Sequence, residues 1–462
     1  MPCDPVVQPM PYLPPVHYLA CVADEPGTLL FDSAGDAGPR GRYSYLCLDP
    51  VAWHTTAGGG TPLTELQHRL CAYPMARDPA LPPFQGGAAG LLGYELGTHL
   101  ERLPPPASTG APHPDMALGV YDVVLALDHA AERAWLIASG YPETNARGRR
   151  RRAEARLDAI RAKLTPHADT PAPVRIRQLA WASDTGRAAY LDRVAAAIDH
   201  IHAGDVFQVN LSREIAAPRP PELDALSLYA EMRARTRAPF SAYFALSPTQ
   251  AVCSFSPERF LRVESDGTVE TRPIKGTRPR GRTGAEDAAL ARELSQSPKD
   301  RAENLMIVDL LRNDLARACA VGSVRVPQLC GLESFGAVHH LVSAVTGRLA
   351  PGADAVDLLA GAFPGGSITG APKIRAMEII HSLERRRRGP YCGAMAWIGF
   401  DGGMDSSILI RTMALDAECV RYGVGGGIVA DSDPDAEWAE TQTKAAAFLA
   451  PPAEVPQRNG PA

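Results

Sequence analysis

The chain has 462 residues, 45% of them hydrophobic and 21% charged, and 47 basic against 52 acidic side chains give a formal net charge of −5. These values are ordinary for a globular protein of two or three domains, and the charge gives no general attraction to nucleic acid or to an anionic membrane. No apolar run is long enough to span a bilayer and no export signal opens the chain, so we expect a cytoplasmic protein. The nine cysteines include no Cys-x-x-Cys pair, which favours reduced thiols over disulfides or a zinc site.

Residues 1–164 are predicted to form mainly strands, followed by one helix. The apolar patterns predict strands at 28–33, 42–46, 86–93 and 117–127, and a helix at 147–164. The helix carries four consecutive arginines, 149–152, without interleaved aromatic residues, and we interpret them as a solvated face and not as a nucleic-acid site. The polar, proline-containing stretch 165–173 is the predicted boundary of this region.

Residues 174–450 are predicted to contain both helices and strands, and residues 451–462 to form a disordered tail. The predicted helices are 185–203, 298–311, 355–362, 372–383 and 434–449. The predicted strands are 205–212, 241–246, 251–255, 260–264, 389–400, 408–415 and 424–429. A second arginine run, 385–388, follows a helix, where cations suit the helix dipole, and we again interpret it as a solvated face.

One lysine, Lys275, lies in the segment Thr-Arg-Pro-Ile-Lys-Gly-Thr at 271–277, which has no helical period. Proline before it and glycine after it predict a strand or turn with exposed backbone. Desolvation in a pocket can deprotonate a lysine and make it a nucleophile. A solvated lysine at a strand end is the more common situation, so the other motifs of the chain decide between the two interpretations.

Two predicted helix starts each carry a pair of carboxylates on one face. Asp300 and Glu303 are three residues apart after a Ser-Pro start, and Glu437 and Glu440 have the same spacing after an Asp-Pro start. Oxygen ligands from two helix starts would suit a hard cation such as Mg²⁺. From the spacing alone, helix capping and stabilisation of the helix dipole are the preferred explanation.

Two glycine-rich segments are candidates for holding an acidic ligand. Gly425, Gly426 and Gly427 can bring backbone N–H groups close to an anion as a nest. Ser367 lies in Gly-Gly-Ser-Ile-Thr-Gly-Ala-Pro at 365–372, a glycine-rich approach to a helix. Hydroxyl and N–H groups at such a helix start can also hold an anion.

Five motifs follow one another in the second region: SPERF at 256–260, PIKGTRPRG at 273–281, DRAENLMIVDLLRND at 300–314, GGSITGAPKIRAMEII at 365–380 and GGGIVADSDPDAEWAET at 425–441. In order and spacing, residues 174–450 resemble the chorismate-utilising enzymes. Residues 1–164 resemble the N-terminal part of anthranilate synthase component I more loosely. The resemblance implies an α/β fold of the α+β type, with two interleaved subdomains of stacked antiparallel sheets and outer helices, and a chorismate pocket between them.

The resemblance also implies roles for individual residues. Glu258 would donate a proton near the reacting ring, and His340 would lie near the ring hydroxyl. The other substrate-binding residues would be Ser367, Tyr391, Arg411, Gly425, Gly427 and Lys444, with Tyr391 and Arg411 at the enolpyruvyl carboxylate and Lys444 at the ring carboxylate. Mg²⁺ would be held by Glu303, Glu437 and Glu440, directly or through water. Asp300 stands where relatives have glutamate, so its role stays open.

Three of these residues have structural alternatives that the sequence leaves open. Glu258 could form an ion pair with Arg259 or Arg272. Lys444 could form a surface pair with the glutamate one turn before it. His340 could be a buried histidine with a satisfied hydrogen bond.

Two positions divide the family by chemistry. Lys275 is typical of the aminodeoxychorismate branch, where anthranilate synthases usually have alanine, and Gln208 stands where isochorismate and salicylate synthases have a water-activating lysine. The resemblance therefore implies a covalent Lys275 intermediate and amination of chorismate at C4, giving 4-amino-4-deoxychorismate for p-aminobenzoate and folate synthesis. A separate glutamine amidotransferase would supply the ammonia. The alternatives are an anthranilate synthase component I and a non-catalytic chorismate-binding homologue.

Three segments resemble those that hold tryptophan in relatives: Asp32-Ser33, Arg42-Tyr43-Ser44 and Ala238-Pro239-Phe240. The residues that the resemblance implies as tryptophan ligands are Ser33, Tyr43, Ser44, Pro239 and Phe240. Asp32 departs from the glutamate of the relatives, and ordinary strand packing is the alternative interpretation of these segments.

Overall fold

The computed structural model describes residues 4–33, 41–56, 62–105, 110–165, 176–335 and 338–449. Most of the predicted boundary at 165–173 and the predicted tail at 451–462 lie outside these residues. The helices are α1 Pro15–Ala20, α2 Pro62–Cys71, α3 Gly97–Leu100, α4 Ala146–Lys163, α5 Arg187–His202, α6 Ala225–Thr236, α7 Gly284–Gln296, α8 Pro298–Ala316, α9 Ala355–Ala362, α10 Lys373–Glu384 and α11 Pro434–Leu449.

The strands form two antiparallel sheets. In chain order they are β1 Val6–Met10, β2 Leu29–Asp32, β3 Tyr43–Cys47, β4 Ala52–Thr55, β5 Gly87–Leu92, β6 Met116–Tyr121, β7 Val123–Asp128, β8 Arg133–Ala138, β9 Ala182–Ser183, β10 Gln208–Pro218, β11 Phe240–Ala245, β12 Ala251–Ser256, β13 Arg259–Val263, β14 Thr268–Thr271, β15 Ile274–Pro279, β16 Arg325–Phe335, β17 Val338–Arg348, β18 Gly370–Ala371, β19 Ala394–Gly399, β20 Met404–Ile408, β21 Thr412–Leu415 and β22 Cys419–Ile428. The first sheet has the order β1-β8-β7-β3-β2-β11-β12-β21-β22-β10-β18, with β9 beside β10. The second has the order β15-β17-β14-β13-β20-β19-β5-β6-β4, with β16 beside β17.

Both regions of the chain contribute strands to both sheets, so the predicted interleaving is confirmed. In the first sheet β2 from residues 1–164 pairs with β11, and in the second β5 pairs with β19. The prediction of one strand at 117–127 is wrong, because the chain leaves the second sheet at the end of β6 and enters the first sheet with β7. The prediction of one strand at 408–415 is wrong for the same reason, since β20 and β21 belong to different sheets. An apolar run that crosses between stacked sheets is buried throughout, so its pattern does not show where it changes sheet.

The two sheets stack face to face over a shared core. One cluster of buried side chains combines Leu29 and Phe244 of the first sheet with Leu91 and Met395 of the second. Alternate residues of each strand face this layer, as the period of two in a strand requires. The stacked antiparallel sheets of the prediction are thereby confirmed.

Helices cover the outer faces of both sheets. On the first sheet, the core joins residues of α4 and α6 to β7, and a separate cluster joins α5 and α10 to β10. On the second sheet, α8 and α9 pack against β13. Helix α8 begins where the sequence predicted, with the Ser297 side chain accepting a hydrogen bond from the N–H of Asp300 at 3.3 Å and Pro298 in the first turn. None of the helices in the described part of the chain is long and apolar enough to cross a membrane.

The interpretation of residues 149–152 as a solvated face is wrong for Arg149. This side chain is only 5% exposed, its Nε and Nη2 donate to the carbonyl oxygen of Ser139, and its guanidinium lies 3.9 Å from the centre of the Tyr141 ring. A run of arginines on a helix necessarily turns one of them inward. The eight cysteines in the described residues are free thiols, in agreement with the predicted absence of a disulfide framework there.

Candidate active site

Lys275 lies on β15 at the edge of the second sheet, immediately before a bulge. Lys275 pairs with Leu341 and Thr277 pairs with His340, so Gly276 is the extra residue. Gly276 has φ +76°, a conformation that favours glycine. The lysine is half-buried. Of the strand or turn that the sequence predicted at this lysine, the structure shows a strand.

The end of α7 and the start of α8 lie against this bulge. A Cβ atom added to Gly276 would lie 2.8 Å from Cδ1 of Leu294 in α7 and 2.9 Å from the carboxyl carbon of Asp300 in α8. The same Asp300 carboxylate accepts a hydrogen bond from Nη2 of Arg278 at 3.2 Å. The structure thus places Asp300, whose role the sequence left open, as a packing and ion-pair partner of the lysine segment.

Glu258 is the buried carboxyl group of the site, with 7% of its surface exposed. Burial raises its pKa to about 7, even though the Ser367 hydroxyl, the charge of Lys275 and the N–H of Ile274 all favour the ionised form. The hydroxyl of Ser367 and the charge of Lys275, two residues that are far apart in the sequence, thus both act on the carboxyl group of Glu258. A carboxyl group that holds its proton near neutral pH can serve as a general acid.

The alternative ion pairs of Glu258 are not formed in the described residues. Arg259 donates to the carboxylate of Asp405 at 2.9 and 3.0 Å and to Glu270 at 3.4 Å. Arg272 pairs with Glu270 and Glu333. Both guanidinium groups are therefore occupied by other carboxylates.

The three predicted metal ligands come from the starts of α8 and α11. Burial raises the pKa of Glu303, and the nearby charges of Asp300 and Glu440 add to the rise. Burial also raises the pKa of Glu437, where Glu440 again adds to the rise. These carboxylates are thus close enough to repel one another, which is the arrangement that a divalent cation would neutralise.

In the described structure the predicted ligands do not form a metal site. Within the described part of the chain, no three His, Cys, Asp or Glu side chains are grouped closely enough to hold an ion. Glu440 instead accepts a hydrogen bond from Lys444 at 2.7 Å, and Oε1 of Glu437 accepts one from Ser432 at 2.7 Å. For Lys444 the structure therefore shows the helix pair that the sequence offered as its alternative. Lys444 also donates to the carbonyl oxygen of Gly425 at 2.9 Å.

The glycine triplet is a strand and not a nest, so that prediction is wrong. Residues 425–427 belong to β22 and pair in regular register with β10, and none of the three has positive φ. Because they have no side chains, these glycines leave room for groups on neighbouring elements. A Cβ atom on Gly427 would overlap the amide of Gln208, and one on Gly426 would lie 3.2 Å from Oε2 of Glu437.

Two amide side chains on β10 face this space without partners. Both polar atoms of Gln208 and Oδ1 of Asn210 are buried and have no hydrogen-bond partner among the described residues. Gln208 is only 1% exposed. Buried polar groups are nearly always paired, so these orphans indicate a place for a polar ligand. Sequence reasoning missed Asn210, although its alternation with Gln208 on a predicted strand was available as a signal.

The two predicted ligands of the enolpyruvyl carboxylate are Tyr391 and Arg411. The ring of Tyr391 lies against Gly423, where any Cβ atom would overlap it. Arg411 is exposed, has φ +54° and lies at the crossing from β20 to β21. A bulky residue with positive φ is strained, and such strain is often found at functional sites.

His340 lies on β17, next to the lysine strand. Its Nδ1 is 2.9 Å from the hydroxyl oxygen of Thr277, and the side chain is buried. A hydrogen-bonded, buried histidine is what the structural alternative described. Its predicted role near the ring hydroxyl stays a prediction.

The second arginine run is also not a solvated face, because Arg388 is 2% exposed. It donates to Glu384, four residues earlier, and to two backbone carbonyl oxygens. The Glu-to-Arg spacing of four across the end of α10 was the signal in the sequence.

A cavity lies where the tryptophan segments were predicted. Ser33, Tyr43, Pro239 and Phe240 line it, together with Trp397 from the second sheet. Ser44, the fifth predicted ligand, is not on the cavity wall. It is fully buried and its hydroxyl contacts the imidazole of His129 at 2.7 Å and the carboxylate of Asp32 at 3.3 Å.

Comparison with known proteins adds to this geometry. The profile of the family described as chorismate binding enzyme matches residues 29–450. Aminodeoxychorismate synthase component 1 of Salmonella typhimurium is 42% identical, covering 97% of this chain and 98% of that protein. Anthranilate synthase component 1 of Streptomyces coelicolor is 43% identical, covering 93% of this chain and 84% of that protein. The crystal structure of anthranilate synthase component I from Streptococcus pneumoniae superimposes with a TM-score of 0.75 at 30% identity, covering 90% of this chain and 93% of that one. The fold is thus of the anthranilate synthase component I type, and the chain belongs to the chorismate-binding enzyme family.

Proposed function

We propose that this chain is an aminodeoxychorismate synthase component 1, which aminates chorismate at C4. The activity is that named for its Salmonella typhimurium relative. The observation that supports the proposal is the buried carboxyl group of Glu258, whose ionisation responds to the charge of Lys275. A nucleophile and a proton donor on one substrate are the two groups that displacement of a hydroxyl requires.

In this proposal the reaction has two displacement steps. The neutral amino group of Lys275 would form a bond to C2 of chorismate as both ring double bonds shift, from C1–C2 to C1–C6 and from C5–C6 to C4–C5, and the C4–O bond breaks. Glu258 would give its proton to the departing hydroxyl, which leaves as water. Ammonia would then form a bond to C4, both double bonds would shift back, the bond from C2 to Lys275 would break, and the new ammonium group would return a proton to Glu258. The product is 4-amino-4-deoxychorismate, with its enolpyruvyl group retained, and the covalent intermediate divides one difficult step into two easier ones.

Mg²⁺ is the cofactor of the proposal, and Glu303, Glu437 and Glu440 would hold it. Burial raises the pKa values of both Glu303 and Glu437, and the charge of Glu440 adds to each rise. This shared effect of Glu440 supports the proposed ligand set. Bound at the ring carboxylate, Mg²⁺ would withdraw electron density from the ring and favour addition at C2. Lys444 forms an ion pair with Glu440. We expect this lysine to turn from the glutamate to the substrate when Mg²⁺ and chorismate are bound.

The remaining residues would bind and orient chorismate. Tyr391 and Arg411 are proposed at the enolpyruvyl carboxylate, and His340 at the ring hydroxyl. Ser367 is proposed to hold Glu258 and the substrate together through its hydroxyl. The unpartnered amides of Gln208 and Asn210, beside Gly427 on β22, support a polar ligand next to these strands.

The ammonia would come from a partner subunit, a glutamine amidotransferase. The relatives are named as first components, which implies a second one. The pathway served would be synthesis of p-aminobenzoate and folate.

Product identity tests the proposal. Purified chain with chorismate, Mg²⁺ and ammonium should give a product that becomes p-aminobenzoate when a lyase is added. The second candidate, anthranilate synthase, is favoured by the 43% identity to the Streptomyces coelicolor enzyme and would instead give fluorescent o-aminobenzoate. Chorismate that binds but is not converted would identify a non-catalytic homologue.

A further inference from the structure

We propose that Arg388 is a positioning residue that holds two halves of the candidate active site in register. We define the acid half as Ser367, Glu258 and Lys275, and the glycine half as the paired section of β10 and β22 at residues 208–212 and 425–428. The inference rests on the proposed function, because it gives Arg388 a part in the same reaction.

The contacts of Arg388 reach both halves. Its Nη2 donates to the carbonyl oxygen of Asn210 at 2.6 Å, in the glycine half. Its Nη1 donates to the carbonyl oxygen of Ile368 at 3.2 Å, directly after Ser367. Its Nε and Nη2 donate to the two oxygens of Glu384 at 3.0 and 2.7 Å, and its guanidinium lies 4.6 Å from the centre of the Tyr94 ring. One planar cation thus ties together segments from four parts of the chain.

Each of the two carbonyl groups belongs to a segment that orients a candidate active-site group. Asn210 pairs with Gly427 and carries one of the orphan amides. Ile368 ends the short turn 366–368, whose Ser367 hydroxyl bonds to Glu258. Arg388 therefore braces the segment of Ser367 against β10, where the N–H of Asn210 also donates to the carbonyl oxygen of Thr369 at 2.8 Å.

Carboxylates hold Arg388 in place from two sides. Burial favours a higher pKa for Glu384, but Arg388 and Arg386 outweigh it and keep that pKa below its usual value, so the partner of the cation stays charged. Glu384 also accepts from the N–H and hydroxyl of Ser212, at 2.7 and 3.0 Å, in the glycine half. Glu95 accepts from the backbone N–H of Arg388 at 2.6 Å. The arginine is fixed by its side chain and by its backbone.

Lysine cannot reproduce this arrangement. A lysine has one ammonium group, whereas the guanidinium presents a planar fork to several acceptors at once. Arg388→Lys should therefore keep the charge beside Glu384 while losing the carbonyl oxygen of Asn210 or of Ile368. The matched control is Arg149→Lys, since Arg149 is also buried, also stacked on a tyrosine ring and also bound to a carbonyl oxygen, but in α4 against β8.

The experiment measures kcat and KM for chorismate, with hydrogen exchange of the backbone, in both variants. In Arg388→Lys we expect kcat/KM to fall roughly 100-fold, as for a small misplacement of reacting groups. Hydrogen exchange should accelerate in peptides covering 208–212 and 366–369. In Arg149→Lys it should accelerate only around residues 139–152, with kcat/KM unchanged. Added guanidinium should restore part of the activity of Arg388→Ala and none of the activity of Lys275→Ala.

Two results would overturn the inference. One is a folded Arg388→Lys protein whose kcat/KM stays within about twofold of the wild type. The other is acceleration of exchange that leaves both 208–212 and 366–369 untouched. If Arg388→Ala does not fold, measurements of kcat/KM and hydrogen exchange on Arg388→Lys and Glu384→Gln test the inference instead. If the wild type makes no aminated product, the proposed function fails, while the exchange measurement still decides whether Arg388 joins the two halves.

Discussion

In the proposed reaction Lys275 and Glu258 must both start in their uncharged forms, and their surroundings affect which forms are present. The nucleophile must be a neutral amine and the acid must keep its proton, yet an ammonium beside a carboxyl group favours the ionised pair. Burial of Glu258 works against that pair, and its effect is the larger one, since the pKa of this carboxyl is raised to about 7. Because the carboxyl group is buried, Glu258 keeps its proton up to about pH 7.

The covalent role proposed for Lys275 has a direct test. Chorismate without ammonia or glutamine should leave an adduct whose mass is that of the chain plus chorismate less one water, on the peptide containing Lys275. Lys275→Ala should lose the adduct and the aminated product together and keep its fold. Lys275→Arg should fail as well, because arginine stays protonated in proteins. Aminodeoxychorismate formed by Lys275→Ala at the wild-type rate would show direct attack by ammonia.

The raised pKa of Glu258 predicts effects of pH on rate and on stability. The acid form is present below about pH 7 and lost above it, so kcat should fall as pH rises through this value. Glu258→Gln should lower kcat roughly 100- to 10,000-fold, the usual contribution of a general acid. A Glu258→Gln variant with wild-type kcat would show that Glu258 is not the proton donor.

The stability effect follows from the same proton. The unfolded carboxyl group ionises near 4.5, while the folded one keeps its proton to about 7, so the free energy of unfolding falls as pH rises between these values. The accumulated loss above pH 7 is about 3 kcal/mol at most. Chemical denaturation at pH 5 and pH 8 should therefore show Glu258→Gln gaining stability relative to the wild type at the higher pH. An unchanged difference would mean that Glu258 ionises as it does in water.

At the scale of elements, the bulge in β15 couples the lysine to α7 and α8. Gly276→Ala should place an alanine at φ +76°, which costs roughly 1–2 kcal/mol, and push its Cβ against Leu294 and Asp300, which costs about 1–3 kcal/mol more. The matched control is Gly267→Ala, with φ +82° and its nearest atom 3.8 Å from the new Cβ. The melting temperature and kcat should both fall further in Gly276→Ala than in Gly267→Ala. Equal losses in the two variants would show that α7 and α8 do not brace the lysine segment.

The starts of α8 and α11 are where Mg²⁺ is proposed to bind. Glu303→Ala and Glu440→Ala should abolish Mg²⁺-dependent turnover and weaken Mg²⁺ binding in calorimetry. Each should stay folded, because even in the first turn of a helix, which neither glutamate occupies, loss of a carboxylate costs only about 0.3–1 kcal/mol. Asp435→Asn is the control, because Asp435 is also acidic and in the first turn of α11 but pairs with Arg187. Full activity of both alanine variants in Mg²⁺ would make the assignment wrong.

For the molecule as a whole, the sequence predicted what is local and missed what depends on the stacking of sheets. Helix α11 was predicted at its observed bounds because proline and aspartate mark its start and its apolar residues recur with helical spacing. The motifs placed Lys275, Glu258 and the helix-start glutamates in one family pattern. Strands β14 to β17 were mostly missed, since their pairing partners and bulges are set by tertiary contacts.

The buried arginines show the same limit for the site. Arg149 and Arg388 each lie in a run of four like charges, and composition alone favours a solvated surface for such a run. Their burial depends on acceptors elsewhere in the fold, the carbonyl oxygens of Ser139 and of Asn210. The glycine triplet was misread for a related reason, because pairing with β10 makes it a strand.

The cavity between the two sheets carries the last prediction. Phe240 of β11 and Trp397 of β19 line it, so a ligand there would contact both sheets at once. Tryptophan, which the resemblance implies as the ligand, should then raise the melting temperature, by an amount corresponding to about 2.7 kcal/mol at 100 times its Kd. Tyr43→Ala should remove the shift because it removes a wall of the cavity, whereas Trp53→Ala, outside the cavity, should keep it. D-tryptophan and phenylalanine serve as ligand controls, and no shift and no heat at saturating L-tryptophan would show that these segments only pack the strands.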